Sequence, residues 1–223
     1  NPDTLLPEEC LQRVLEFAEK NPELGGLGVR MIDGSGSFLP ESKRSFPSPL
    51  TSLFKLTGLS AVFPNSPLFA RYHLGHLSSE QNNEVDVLAG AFMLVRKSVL
   101  DRNGGFDESF FMYGEDIDLC IRIQKAGYGI HYLGDVGIIH YKGQSSRTLN
   151  HQQISIFYKA MQIFVLKHYV LGWLLVPAIK ISSFIAMFRK RISPPVSVLP
   201  MLKRKNTALA ICNEVGFHRI QEL

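Results

Sequence analysis

The stretch Phe110-Phe-Met-Tyr-Gly-Glu-Asp-Ile-Asp-Leu-Cys-Ile-Arg122 decides how the rest of the chain is read. An aromatic turn ends at Gly114, and three carboxylates follow within four residues: Glu115, Asp116 and Asp118. Behind them Ile117, Leu119, Ile121 and Ile123 mix with Cys120, Arg122 and Gln124 until Gly127 stops the run. This pattern predicts a helix with the acids in its first turn, where the positive end of the helix dipole favours them. On such a helix Glu115 and Asp118 share a face and Asp116 points elsewhere, so the two neighbouring acids can do different jobs. Aromatic walls beside a carboxylate exclude water and raise its pKa, which suits a general base. Acids in a first helical turn also serve as simple caps.

Working outward, Glu84-Val-Asp-Val-Leu-Ala-Gly-Ala-Phe-Met-Leu-Val95 is a near-continuous apolar run and predicts a buried strand. Gly90 and Ala91 sit in its middle, where small residues mark the close approach of a ligand or of another backbone. A short helix is expected over 96–102, and Gly104-Gly105-Phe106-Asp107 makes a turn. After the acidic helix, 128–133 and 136–141 read as two strands, the second ending at His140. Toward the N-terminus, Leu11, Val14, Leu15 and Ala18 predict the apolar stripe of a helix, and 27–32 a strand. The long connection from Arg44 to Leu77 predicts short helical pieces, with Lys43-Arg44 in a solvated loop; a phosphate contact is the other reading of that basic pair.

With 223 residues, 45% hydrophobic and 20% charged, the chain can bury a full core. Its net charge of +4 is unevenly spread. Residues 1–150 hold 14 Lys and Arg against 18 Asp and Glu, whereas 151–223 hold 10 against 2. An acidic body with a basic, apolar tail points to an anionic membrane surface rather than to nucleic acid. The tail begins with a helix carrying Ile154, Phe157, Met161, Phe164 and Val165 on one face. From Val170 to Phe188 it is almost wholly apolar, broken by Pro177 and Lys180 and closed by Arg189-Lys-Arg191. That run fits a helix lying in the lipid interface, anchored by Trp173, better than a span; a core or dimer helix is the other reading. The three cysteines, Cys10, Cys120 and Cys212, make neither a zinc spacing nor a disulfide framework, which favours a reducing cytosol.

Alternating strands and helices with polar residues at strand ends predict an open α/β sheet. The order and wording of the pieces resemble the family 2 glycosyltransferases with a GT-A fold, above all the bacterial rhamnosyltransferase-like enzymes of cell-surface polysaccharide synthesis. The likeness rests on Asn1-Pro-Asp3, Val87-Leu-Ala-Gly-Ala-Phe-Met-Leu-Val-Arg96, Gly104-Gly-Phe-Asp-Glu108, the 111–122 stretch and His140-Tyr-Lys-Gly-Gln-Ser145. It covers about residues 1–165.

The resemblance implies a partial GT-A fold, an open mixed sheet with flanking helices, followed by a helical apolar and basic tail. Residues 1–150 would be the C-terminal portion of the catalytic domain and 151–205 the tail, with 206–223 uninformative. It further implies an inverting, metal-dependent transfer of a sugar such as rhamnose from a nucleotide-diphosphate donor to a saccharide or lipid-linked acceptor. Asp116 matches the family's general base, with Glu115 binding the acceptor hydroxyl or tuning its neighbour. Asp3 stands where the family holds a divalent cation, Mg²⁺ or Mn²⁺, against the diphosphate, and His140 where it has a further metal or phosphate contact. Asn1 replaces the commoner first Asp of that element, leaving one charge fewer. Gly90 and Ala91 would floor the donor-sugar pocket, and Arg147 would neutralise the leaving diphosphate or sit exposed in its loop. Asp118 and Arg122 are expected to pair along the helix and serve structure. The expected location is cytoplasmic, peripheral on the inner face of the membrane. The family's nucleotide-binding strands precede the Asn1-Pro-Asp3 element, so the chain is expected to be a fragment that by itself binds nucleotide sugar weakly. The competing expectation is a non-catalytic saccharide-binding or membrane-associated assembly module with the same fold.

Overall fold

A computed structural model describes residues 1–48, 50–51, 54, 58–141 and 151–192. The chain divides into a body, Asn1–Met187, and a second unit, Phe188–Leu223. The body is an α/β arrangement around a five-stranded mixed sheet. In chain order the described elements are β1 (Thr4–Leu5), α1 (Cys10–Lys20), β2 (Leu24–Ile32), α2 (Leu59–Val62), β3 (Asn83–Glu84), β4 (Leu94–Val95), α3 (Lys97–Asn103), α4 (Glu115–Lys125), β5 (Gly129–His140), α5 (His151–His168) and α6 (Val176–Ile192), whose last residues lie past the body. Short 3₁₀ turns lie at Pro40–Ser42, Arg71–His73 and Gly172–Leu174.

The two long strands, β2 and β5, run parallel from Leu24 opposite Gly129 to Ile32 opposite Ile139. Strand β4 adds antiparallel to the free side of β2. On the other edge of β5, β3 pairs at His131–Tyr132 and β1 at Ile139–His140, so two short strands share one long edge. The alternation of β2 decides what each face can hold. Leu27, Val29 and Met31 point with Leu133 and Ile138 toward Cys10 and Val14 of α1. Gly26 and Gly28 face the other way, under Leu88. That second face packs Val85, Val87, Leu88 and Val99 against Leu119, Cys120 and Ile123 of α4. At Gly25 a Cβ would stand 2.6 Å from Ile123 Cγ2, so only glycine lets α4 sit this close. Outside α4, a third cluster joins Phe110 to Ala160, Phe164 and Val165 of α5 and Ile179 of α6.

Four expectations need correction. The run 84–95 is not one strand: β3 and β4 are its ends, and between them the chain leaves the sheet, with Arg44 and Val87 forming an isolated bridge. Residues 128–141 are one strand rather than two. The register jumps from Val29 opposite Leu133 to Arg30 opposite Gly137, so 134–136 bulge while pairing continues. Side-chain oxygen of Asn82 accepts from the Gly134 amide, and Arg13 binds Asp135, which together pin that bulge. The buried stripe of α1 starts at Cys10, runs through Val14 and continues with Phe17 and Ala18, leaving Leu11 and Leu15 about half exposed, at 54% and 49%. Finally, Lys43 and Arg44 are not solvated. Lys43, at 2% exposure, donates to the carbonyls of Leu74 and Leu77, which spares its buried charge an unsatisfied donor.

The predicted tail helices are present as α5 and α6, with Ile154, Phe164 and Val165 buried and Phe157 largely exposed. Among the described residues no helix is long and apolar enough to cross a membrane.

Candidate active site

The acidic helix begins from two consecutive left-handed residues, Tyr113 at φ 69° and Gly114 at φ 87°. A tyrosine in that region is strained by about 1 kcal/mol, a cost typical of backbone held in place by its surroundings at a functional site. Glycine is needed next to it, because a Cβ at Gly114 would also crowd the Phe110 ring at 3.2 Å. This turn sets Glu115, Asp116 and Asp118 in the first turn of α4, as the sequence predicts.

Asp116 is held from three directions. Its Oδ2 accepts from Arg44 Nη2 at 2.6 Å and from the Gly90 amide at 3.2 Å, and its Oδ1 accepts from the Ile117 amide at 2.8 Å. Arg44 also donates to the Leu88 carbonyl at 2.6 Å, and its backbone pairs with Val87. Its Nε is buried with no hydrogen-bond partner. Arg44 is the residue that sequence reasoning missed. The available signal was two adjacent cations in an otherwise weakly charged connection, just ahead of Phe46-Pro47.

Glu115 faces the same place. A Cβ at Gly90 would lie 3.7 Å from Asp116 Cβ and 4.0 Å from Glu115 Oε1, so Gly90 forms the floor between the two acids. Burial pushes the Glu115 carboxyl above its ordinary range; the neighbouring Asp116 charge adds to this, and its own backbone hydrogen bond and Arg44 oppose it. Its Oε2 is buried without a partner. The pair is therefore two carboxyls in different electrostatic settings, one clasped by a guanidinium and one short of solvation. Ala91 packs instead against the core on the α1 side of the sheet, while Gly90 is exposed.

Asp118 takes the structural role expected of it, more strongly than expected. It is fully buried, and its Oδ2 accepts from Arg122 Nε at 2.8 Å. Oδ1 meets Lys167 Nζ at 2.8 Å and His168 Nε2 at 2.7 Å, both from the end of α5. Burial would raise this carboxyl, but the hydrogen bonds from Lys167, His168 and Arg122 outweigh it and hold the group below its usual range. Burial lowers His168 despite Asp118, so at neutral pH its neutral ring donates from Nε2. Cys120, on the inner face of α4, is pushed up to about 12 by burial and is a packing residue, not a nucleophile.

Asp3 immediately precedes β1, and His140 ends β5, the strand that β1 pairs with. Thr4 is opposite His140, and the Tyr141 amide donates to the Asp3 carbonyl at 2.8 Å. Among the described residues no three His, Cys, Asp or Glu side chains group as a metal site, so Asp3, His140 and Asp116 do not form one three-ligand centre. A carboxylate and an imidazole are both donor types that a divalent cation accepts, with further oxygens to come from a diphosphate or water. Arg147 lies outside the described residues. A cavity of about 400 Å³ opens on another side of α4, between Ile121, Gln124, Phe164 and His168, and includes none of the residues at the acid pair.

Residues 2–202 match the family described as Glycosyl transferase family group 2. The chain is 32% identical over 177 residues to N-acetylglucosaminyl-diphospho-decaprenol L-rhamnosyltransferase of Mycobacterium tuberculosis (strain H37Rv), covering 78% of this chain and 55% of that protein. It is 31% identical over 150 residues to rhamnosyltransferase WbbL of Escherichia coli (strain K12), covering 66% of this chain and 53% of WbbL. Low-salt glycan biosynthesis hexosyltransferase Agl10 of Haloferax volcanii is 28% identical over 141 residues, with 63% of this chain and 40% of Agl10 covered. The chain thus spans about half the length of the curated rhamnosyltransferases it matches.

Proposed function

This chain belongs to the family 2 glycosyltransferases, and from that premise we propose that it carries the acceptor-side half of an inverting sugar transfer. The proposed donor is a nucleotide-diphosphate sugar, with L-rhamnose favoured because two relatives are rhamnosyltransferases. The proposed acceptor is a saccharide carried on a lipid diphosphate, in line with the name of the mycobacterial relative. In this reading residues 1–150 are catalytic and 151–205 form a tail.

The observation that carries the proposal is the Asp116 carboxylate, fixed between the Gly90 amide and Arg44 beside a half-buried Glu115. Asp116 takes the proton of the acceptor hydroxyl as that oxygen bonds to the anomeric carbon. The bond from that carbon to the donor diphosphate breaks on the opposite face, inverting the centre. Glu115, beside it, binds the acceptor hydroxyl or tunes Asp116. Gly90 leaves room for the sugar. Asp3 and His140 would hold Mg²⁺ or Mn²⁺, which when bound neutralises charge on the diphosphate. Arg147, when close enough, would share that task.

The tail is proposed to rest on the inner face of the membrane. Val170 is 97%, Trp173 62% and Phe184 71% exposed, and residues 151–223 hold 10 cations against 2 anions. Apolar side chains beside cationic ones suit an anionic lipid surface.

The test is transfer of labelled rhamnose from a nucleotide-diphosphate donor to a polyprenyl-diphosphate saccharide by this protein. Asp116→Asn is expected to lower the rate at least 1,000-fold, about 4 kcal/mol of transition-state stabilisation, with donor binding retained. Unchanged transfer would overturn the assignment of the base. A wild-type protein that binds saccharide without turnover would instead support the assembly-module reading.

A further inference from the structure

Three consecutive residues, the last two of α5 and Tyr169 just past it, reach the two segments that carry Arg44 and Asp116. Lys167 and His168 meet Oδ1 of Asp118, two residues beyond Asp116 on the same helical turn. Lys167 also binds Asp107, in the loop that leads into the aromatic turn. Tyr169 turns the other way and donates from its hydroxyl to the Pro47 carbonyl at 2.7 Å, three residues beyond Arg44. The apolar packing of Ile117 and Ile121 in the cluster around Phe164 also joins α4 to α5, but apolar contact sets distance poorly in comparison with directional bonds.

We propose that Lys167, His168 and Tyr169 are positioning residues that set the approach of Arg44 to Asp116. The physical basis is that the two halves of the pair belong to separate segments. Arg44 sits on a strap bridged to Val87, and Asp116 on a helix whose start is a strained left-handed turn. The α5 terminus ties the strap through Pro47 and the helix through Asp118. Because Asp118 is fully buried and its three donors come from two helices, a shift of α5 moves α4 with it. None of the three residues touches Asp116 itself, so their influence on transfer runs through position alone. Val170, fully exposed and apolar, follows directly, so the same short segment joins the clamp to the face proposed to meet lipid. The consequence for catalysis rests on the reading of Asp116 as the base; the clamp itself does not.

The experiment is amide hydrogen exchange on the full chain carrying Tyr169→Phe, Lys167→Met or both. The reporting amides are Val87 and Arg44, which exchange hydrogen bonds with each other, and Gly90, which donates to Asp116. Loss of the clamp is expected to speed exchange at these three sites about tenfold, a signature of local opening rather than of global unfolding. Faster exchange confined to 151–169 would overturn the proposal. Tyr169→Phe removes one hydroxyl and keeps the ring, so it reads the strap arm even where the double variant fails to fold. Lys167→Arg is expected to restore protection at Gly90, and failure to do so counts against the helix arm. In the transfer assay the same variants are expected to lower kcat with donor KM unchanged. A wild-type chain that transfers no sugar sinks the functional reading, while the exchange pattern still decides the clamp.

Discussion

Arg44 and Asp116, 72 residues apart in the chain, meet at 2.6 Å with side chains only 11% and 14% exposed. Two opposite charges drawn this far from water stabilise each other but leave a severe penalty when one is removed. Arg44→Met is therefore expected to destabilise the chain by about 3 kcal/mol, leaving Asp116 only backbone donors. Adding Asp116→Asn to that variant should recover part of the loss, giving a coupling well outside additivity. Urea denaturation of the four members of the cycle measures it.

Glu115 offers the opposite sign. Its folded-state pKa is raised above 4.5 by burial, so the folded chain holds a proton there more tightly than the unfolded one. The stability this group contributes is present below 4.5 and is lost as pH rises through the raised value. Glu115→Gln is expected to remove that slope and to raise the melting temperature at neutral pH. A variant less stable than wild type there would contradict the account.

The Asp118 cluster fails from the acid side. His168 and Asp118 are both lowered from their ordinary 6.5 and 3.8. Their contributions are present above those values and fade as pH falls through the lowered ones, first for His168 and then for Asp118. Asp118→Asn is expected to cost about 3–5 kcal/mol, since it strips the buried partner from Arg122 and Lys167. Thermal melts from neutral to acid pH should show the variant losing less stability across the range where Asp118 titrates.

Two glycines separate packing from function. Gly25→Ala would put a methyl 2.6 Å from Ile123 Cγ2 and 2.7 Å from Tyr128 Cβ, and is expected to cost about 1–3 kcal/mol by prying α4 from β2. Gly90→Ala meets nothing closer than 3.7 Å, so stability should stay within about 0.5 kcal/mol. Transfer should nonetheless fall, because the methyl takes space proposed for the sugar. Comparable stability losses for both would remove the distinction.

At the tail, Trp173→Ser with Phe184→Ser is expected to abolish co-flotation with anionic vesicles and to leave the melt unchanged, since both side chains are mostly exposed. Equal flotation on neutral and anionic vesicles would rule out the electrostatic part of the proposal.

The sequence by itself determined what depends on neighbours along the chain. The helix at Glu115, its stop near Gly127, the Asp118–Arg122 pair and the apolar cores of β2 and β5 all follow from period, capping and turn chemistry. The motifs also carried the family, to which the matched residues 2–202 assign the chain. Only the tertiary structure decided which charges meet. Arg44 read as a solvated loop cation because its one acidic neighbour along the chain is Glu41 of the same loop, and its partner arrives through the fold. The same holds for Lys167 and His168 on Asp118, and for the single strand β5, whose bulge is pinned by Asn82 and Arg13. Local conformation is written in adjacent side chains, whereas the energy of a buried charge depends on what distant segments bring to it.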